Sequence, residues 1–352
     1  MTLSQVVSAI RPVDQEMKRL AQAHWDAVAK PLGSLGLLEE AVTAIAAMTG
    51  TVQVEISKRA VVAMCADNGV VAQGVTQTGQ EVTAVVTENM GAGRSSVCRM
   101  ARLAGADVVP VEIGVSRPVT GAAIRQRCVR RGTADLSQGP AMTREECERA
   151  ILVGVDIVRE LKEQGYNLLA TGEMGIGNTT TSSAVAAVLL HREVEEMTGR
   201  GAGLSSEGLM RKVAAIRAGI AVNRPDPADP VDTVAKVGGL DIAGLVGVFL
   251  GGALYRLPVL IDGFISSVSA LAAVKLCPAV ADYLLPSHVS GEPAGALILE
   301  ELGLKPLICA GMRLGEGTGA VAAMPLLDMA LVVYREMGTF DDLAIDAYEH
   351  LS

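Results

Sequence analysis

The sequence predicts an α/β protein: a parallel sheet flanked by helices, with the chain's two ends contributing further helices. Three observations predict it. From about residue 58 short apolar runs alternate with helical stretches; the runs are continuously apolar, as in strands buried on both faces; and glycine and polar residues collect just past the runs. The clearest runs are RAVVAMCAD (59–67), ADVVPVEIGV (106–115), NLLATGEMG (167–175), LPVLIDG (257–263) and KPLICAGMRLG (305–315).

Two helices open the chain. In DQEMKRLAQAHWDAVAK (14–30), Met17, Leu20, Trp25 and Val28 fall on one helical face, and Leu38, Val42, Ile45 and Met48 do the same after KPLGSLG. The connection from Lys30 to Gly36 contains Pro31, Gly33 and Gly36, which break helices. Further on, AGLVGVFLGGAL (243–254) is too short to span a bilayer and reads as a buried helix. Between 195 and 235 the chain reads as a polar, loop-rich excursion, because NRPDPADP carries three prolines. A last helix begins near Thr318 and runs through AVAAMPLLDMALVVYREM, with Pro325 as its expected kink. Pairing it with the opening helices predicts a small helical domain (1–50 plus 331–352) beside a large α/β domain (51–330).

Composition narrows the function. Half of the 352 residues are apolar, so a sizeable core is available; a net charge of −9 and nine aromatic residues argue against a nucleic-acid partner and for small metabolites. Six cysteines without a C-x-x-C pair point to reduced thiols and a cytoplasmic location, and the first residues show no secretion signal. His24, His191, His288 and His350 lie far apart without metal-ligand spacing, so no metal and no other cofactor are expected. There is no G-x-S-x-G elbow, and no adjacent-acid segment for magnesium and pyrophosphate.

In open parallel sheets ligands bind beyond the carboxyl ends of the strands. The residues there are Asp67-Asn68-Gly69, GEMGIGNTTT (172–181), Asp262-Gly263 and GEGTG (315–319). Glycines followed by Asn178, Thr179, Thr180 and Thr181 at a helix start offer free N–H groups and hydroxyls to a phosphate, although an N-cap on a core helix has the same composition. Lys212 is a candidate second phosphate contact. His288, in PSHVSGEP, reads as a satisfied loop histidine. Glu316, a lone acid among glycines, is either a solvated turn residue or an acid aimed at a ligand.

Seven ordered motifs carry a resemblance: KPLGSLG (30–36), CADNGV (65–70), GEMGIGNTT (172–180), KVGGLDIAGLVG (236–247), PVLIDGFISS (258–267), PSHVSGEPAG (286–295) and MRLGEGTGA (312–320). Together they closely resemble the nicotinate-nucleotide–dimethylbenzimidazole phosphoribosyltransferase family over essentially the whole chain. The resemblance implies a homodimer with a Rossmann-like large domain and a small helical domain from both termini. It implies transfer of phosphoribose from nicotinate mononucleotide to 5,6-dimethylbenzimidazole, giving α-ribazole phosphate and nicotinate, without a metal. Glu316 becomes the general base. Gly172 to Thr179, with Gly175, Gly177 and Asn178, becomes the nucleotide cradle, Glu173 lies near the sugar, and Lys212 contacts the phosphate. Asp262 joins the candidate substrate-binding residues. Thr78, Val86 and Leu314 face the base, and Pro31 to Leu35 border the site. Two positions depart from the pattern: Asn68 stands where many members have histidine, and Val86 where some have glutamine, which bears on acceptor choice. Related proteins that form heterodimers with a paralogue use phenol or p-cresol. A catalytically silent nucleotide-binding subunit is the reading from a different class.

Overall fold

The computed structural model describes residues 1–349, so His350 and the end of the 331–352 segment lie outside it. Six parallel strands form one sheet: β1 (Arg59–Ala66), β2 (Ala106–Gly114), β3 (Arg125–Gln126), β4 (Leu168–Met174), β5 (Val259–Ile261) and β6 (Leu284–Pro286), in the order β3-β2-β1-β4-β5-β6. This is a Rossmann-like doubly wound sheet. The strand order reverses between β1 and β4, which opens a crevice at their C-terminal ends. All eight residues of β1 are buried, which is why its sequence is continuously apolar.

Four of the five predicted strand runs form strands. The fifth, 305–315, does not: it makes a single parallel bridge, Ile308 to His288, and is otherwise irregular. Its apolar residues are interrupted by Gly311 (φ +64°) and Gly315 (φ +85°), whose left-handed backbone a strand cannot contain. The sheet edge comes instead from β6, three residues ending at Pro286.

The 195–235 excursion is also corrected. It is mostly helical, with helices Ser206–Asn223 and Pro230–Val237. Ser205 caps the first through the Gly208 N–H, and Asp229 caps the second through the Val231 and Asp232 N–H groups. Pro230 occupies the first turn, where a missing N–H costs nothing, so of the three prolines only Pro225 and Pro227 lie in the irregular connection.

Helix Leu240–Leu254 is buried, as its composition predicts. Its glycines allow a close crossing with helix Arg144–Glu163: a Cβ on Gly247 would lie 1.8 Å from the Ile151 carbonyl oxygen, and one on Gly154 would lie 2.1 Å from that of Gly244. At the chain ends, helix Leu3–Ala9 packs against helices Leu240–Leu254 and Arg144–Glu163, while helices Gln15–Ala27 and Leu37–Thr49 meet helix Thr318–Glu336, which continues through Pro325. Trp25 is fully buried with its ring edge-on to Tyr334, Val28 bridges Thr339, and the Ala29 N–H donates to Gly338. Among the described residues only helix Thr318–Glu336 is long and apolar enough to cross a membrane, and more than half of its most apolar stretch is packed inside the molecule.

Candidate active site

A cleft of about 310 Å³ opens past the C-terminal ends of β4 and β5. The C-terminal end of β4 supplies Glu173, the turn after it Gly175 and Gly177, and the start of helix Asn178–Leu190 supplies Asn178 and Thr179; the loop after β5 supplies Asp262, the irregular 305–315 run leads to Leu314 and Glu316, and Thr78 completes the predicted residues that line it.

The β4 loop has its shape because side chains are excluded from it. A Cβ on Gly175 would lie 2.6 Å from the Ala66 carbonyl oxygen, and Gly177, at φ +93°, turns the chain into helix Asn178–Leu190. The N-terminus of this long helix therefore points at the cleft with Thr179 at its rim. The Lys212 ammonium donates to Thr179 Oγ1 (2.9 Å) and to the Gly199 carbonyl (3.0 Å). Burial pushes the Lys212 ammonium down to about 8, with the Glu292 carboxylate acting in the opposite direction. Thr180 and Thr181 do not line the cleft; the Thr181 hydroxyl donates back to the Asn178 carbonyl.

Glu173 is buried at the cleft wall. The Asn178 amide donates to its Oε2, and burial, with the Asp241 and Asp262 carboxylates adding, pushes its carboxyl up to about 8. Asp262 lines the cleft and also holds the neighbouring loop. Its Oδ1 accepts from the Gly319 (2.8 Å) and Ala320 (3.0 Å) N–H groups and its Oδ2 from Gly317 (3.2 Å), which caps helix Thr318–Glu336 and fixes the loop carrying Glu316. Burial raises the Asp262 carboxyl while the neighbouring His288 opposes that shift.

Glu316 has a left-handed backbone (φ +62°), uncommon for a residue with a side chain. The conformation is locked from both sides: a Cβ on Gly172 would lie 2.4 Å from the Glu316 carbonyl oxygen, and one on Gly317 would lie 2.5 Å from Val61. The carboxylate faces the cleft, and its Oε2 accepts from the Val97 N–H (3.0 Å) in the first turn of helix Ser96–Leu103.

Lys212 does not itself line the cleft and meets it only through Thr179, and three further predicted residues are not brought to it. Val86, on helix Glu81–Gly91, packs against the core and does not line it. Pro31 and Leu35 lie in the connection that leads from Val28, paired with Thr339, into helix Leu37–Thr49. That places them by the C-terminal end of helix Thr318–Glu336, whose opposite end carries the site; nineteen helical residues span roughly 28 Å. Sequence reasoning in turn missed Arg200, Arg313 and Glu292, and read His288 as a loop residue, yet all four line the cleft. Arg313 lies in MRLGEGTGA and His288 and Glu292 lie in PSHVSGEPAG, so motif membership was the signal that could have found them; Arg200 has no such signal.

A family profile described as phosphoribosyltransferase matches residues 10–345. The nicotinate-nucleotide–dimethylbenzimidazole phosphoribosyltransferase of Ruminiclostridium cellulolyticum is 48% identical over 351 residues, covering 100% of both chains, and that of Acetivibrio thermocellus is 49% identical over 347 residues, covering 99% of both. A crystal structure of CobT from Thermus thermophilus superposes with a TM-score of 0.89 at 41% identity, covering 94% of this chain and 99% of that one. Fold, cleft and sequence agree, and the chain belongs to the nicotinate-nucleotide–dimethylbenzimidazole phosphoribosyltransferase family.

Proposed function

We propose that this protein transfers phosphoribose from nicotinate mononucleotide to an aromatic base, 5,6-dimethylbenzimidazole or a close relative, releasing nicotinate and forming an α-ribazole phosphate. The observation that carries the reading is that one cleft holds both the glycine-flanked carboxylate of Glu316 and a helix N-terminus with Thr179 backed by Lys212. Family membership and the names of the relatives support it.

The chemistry follows from the substrates. Nicotinate leaves from a pyridinium nitrogen, so departure of the neutral ring nitrogen requires no metal. The unprotonated nitrogen of the base attacks C1′ from the opposite face and inverts it from β to α. As that bond forms the second ring nitrogen becomes acidic, and Glu316 takes its proton as general base. The phosphate is held by the N–H groups at the start of helix Asn178–Leu190, by Thr179 and by the buried Lys212. Glu173 and Asn178 lie beside the sugar, and Thr78 and Leu314 contact the base.

The assembly we favour is a homodimer. Pro31 and Leu35 lie at the far end of helix Thr318–Glu336 from the cleft of their own chain, so bordering a site requires the cleft of a second copy. The division into a small domain (1–50 with 331–352) and a large one (51–330) belongs to the same reading: the small domain presents this loop to the partner. A cytoplasmic setting fits six unpaired cysteines.

The test is an acceptor panel. Purified protein receives nicotinate mononucleotide and, separately, 5,6-dimethylbenzimidazole, benzimidazole, adenine, phenol and p-cresol, while nicotinate release and product mass are recorded. Turnover with benzimidazoles is expected. Activity with phenols alone, or only after a paralogous subunit is added, would move the protein to the phenolic branch, and binding without turnover to any acceptor would make it a silent subunit.

A further inference from the structure

Behind the cleft one amide is shared by two carboxyls. Asn178 Nδ2 donates to Glu173 Oε2 at the cleft wall and to Asp241 Oδ2 at 3.1 Å. Asp241 is fully buried, in the first turn of helix Leu240–Leu254, and is not among the residues lining the cleft. Its second oxygen, Oδ1, has no hydrogen-bond partner, and neither has Oδ1 of the equally buried Asn68. Both point at the same spot, 2.4 and 2.5 Å from where a Cβ on Gly239 would sit. On the cleft side, a Cβ on Gly175 would lie 2.7 Å from Asp241 Oδ2 and 3.0 Å from Asn68 Nδ2. A hydrogen-bonded chain, Asp241–Asn178–Glu173, thus runs beneath the β4 loop to the cleft, with Asn68 beside its inner end.

We propose that Asp241 is a positioning residue for the transfer: through the shared Asn178 amide it fixes where the Glu173 carboxyl points, and its charge disfavours a second charge at Glu173. The inference rests on the phosphoribosyl-transfer reading and deepens it. A protonated Glu173 donates a hydrogen bond to the bound nucleotide; an ionised one only accepts and repels the phosphate. The charge environment agrees with the geometry. Burial pushes Asp241 up to about 6 and Glu173 to about 8, so at neutral pH the first is ionised and the second keeps its proton. The other groups facing this pair are Asp67, which raises Asp241, and Asp262, which raises Glu173 and is itself opposed by His288. The Asn178 amide and the Glu316 backbone act on Glu173 in the lowering direction, and the buried Cys65 thiol, pushed up to about 12, stays neutral beside them.

The two arms of the chain make opposite predictions. Asp241→Asn keeps the shape and removes a like charge, so the alkaline limb of the kcat/KM profile for nicotinate mononucleotide moves toward acid by roughly one pH unit. Asn178→Ala removes the bond that favours the ionised form, so the limb moves toward higher pH, and Glu173→Gln abolishes it. A second readout needs no turnover. Infrared titration of protein carrying ¹³C-labelled glutamate, taken as the difference from Glu173→Gln, follows the Glu173 carboxyl directly and moves in the same two directions. A wild-type protein inactive with every acceptor would overturn the functional reading and leave the infrared test of Asp241 intact. A uniform loss of kcat with the limb and the infrared midpoint unmoved in both variants would reduce Asp241 to packing and sink the proposal; should one variant not fold, the other decides alone.

Discussion

Two loops of this molecule carry the same short pattern, a glutamate flanked by glycine, and they use it in opposite ways. At the C-terminal end of β4, where the strand runs into its loop, Glu173 follows Gly172 and is buried, held by an amide, and burial, with neighbouring carboxylates adding, pushes it up to about 8. In the 315–319 loop Glu316 sits between Gly315 and Gly317, half-buried, with a left-handed backbone and a backbone N–H bonded to its carboxylate. The loops touch: a Cβ on Gly315 would lie 2.4 Å from Glu173 Oε1, so glycine there is what allows the two acids into one cleft. The shared pattern brings an acid to the cleft, while the surroundings differ. Glu316 presents its carboxylate beside the Val97 N–H, whereas Glu173, pushed up to about 8, keeps its proton at neutral pH.

Neutralising each acid separately tests whether the two loops differ in this way. Glu316→Gln removes the proton acceptor and is expected to lower turnover by about 10²–10⁴-fold with nucleotide affinity retained, measured as single-turnover nicotinate release beside calorimetric binding. Near-normal turnover would move the base elsewhere in the cleft.

Glu173→Gln addresses the other loop through stability. A carboxyl whose pKa is about 8 when folded and about 4.3 when unfolded is protonated in the folded chain and ionised in the unfolded chain between those values. The folded state then binds more protons, so wild-type stability falls as pH rises through this window. Glutamine has no such cost. Denaturant unfolding should therefore show the variant gaining on wild type by a few kcal/mol between pH 5 and 8, beyond any constant offset. A difference that does not change with pH would show that Glu173 is ionised in the fold.

Much of this was legible in the sequence, for reasons that differ by region. β1, β2, β4 and β5 announce themselves because a strand covered on both faces is apolar along most of its length instead of alternating. The 305–315 run misleads because Leu307 and Ile308 are apolar for packing, while Gly311 and Gly315 serve a turn that delivers Leu314 and Glu316 to the cleft. The prolines at 225–230 read as breakers of a whole segment, although Pro230 starts a helix rather than interrupting one. In the site, the glycine loops and the lone acid stand out locally. Asp241, Arg200 and His288 do not, because each acquires meaning only from a neighbour distant in sequence: Asp241 from Asn178, His288 from Asp262. Asp262 was visible as a polar residue after a strand, but its task as a cap on another helix was not.

A smaller effect is expected at the acceptor end of the Glu316 loop. Leu314 immediately precedes Gly315-Glu316, lines the cleft and remains 56% exposed, so its apolar side chain faces open space in the unliganded protein. An exposed leucine beside the proposed general base has a physical rationale if an aromatic acceptor covers it, since burying a leucine against a ring contributes about 1.5–3 kcal/mol at full burial and less at a rim. Leu314→Ala should then raise KM for 5,6-dimethylbenzimidazole by roughly tenfold, about 1.4 kcal/mol, while KM for nicotinate mononucleotide and the folding stability stay close to wild type. Because an exposed side chain leaves no cavity when truncated, any loss of stability would indicate a packing role instead. An equal rise in both KM values would place Leu314 at the nucleotide, and the division of labour between the two loops would have to be redrawn with the base lying closer to Glu173 than to Glu316.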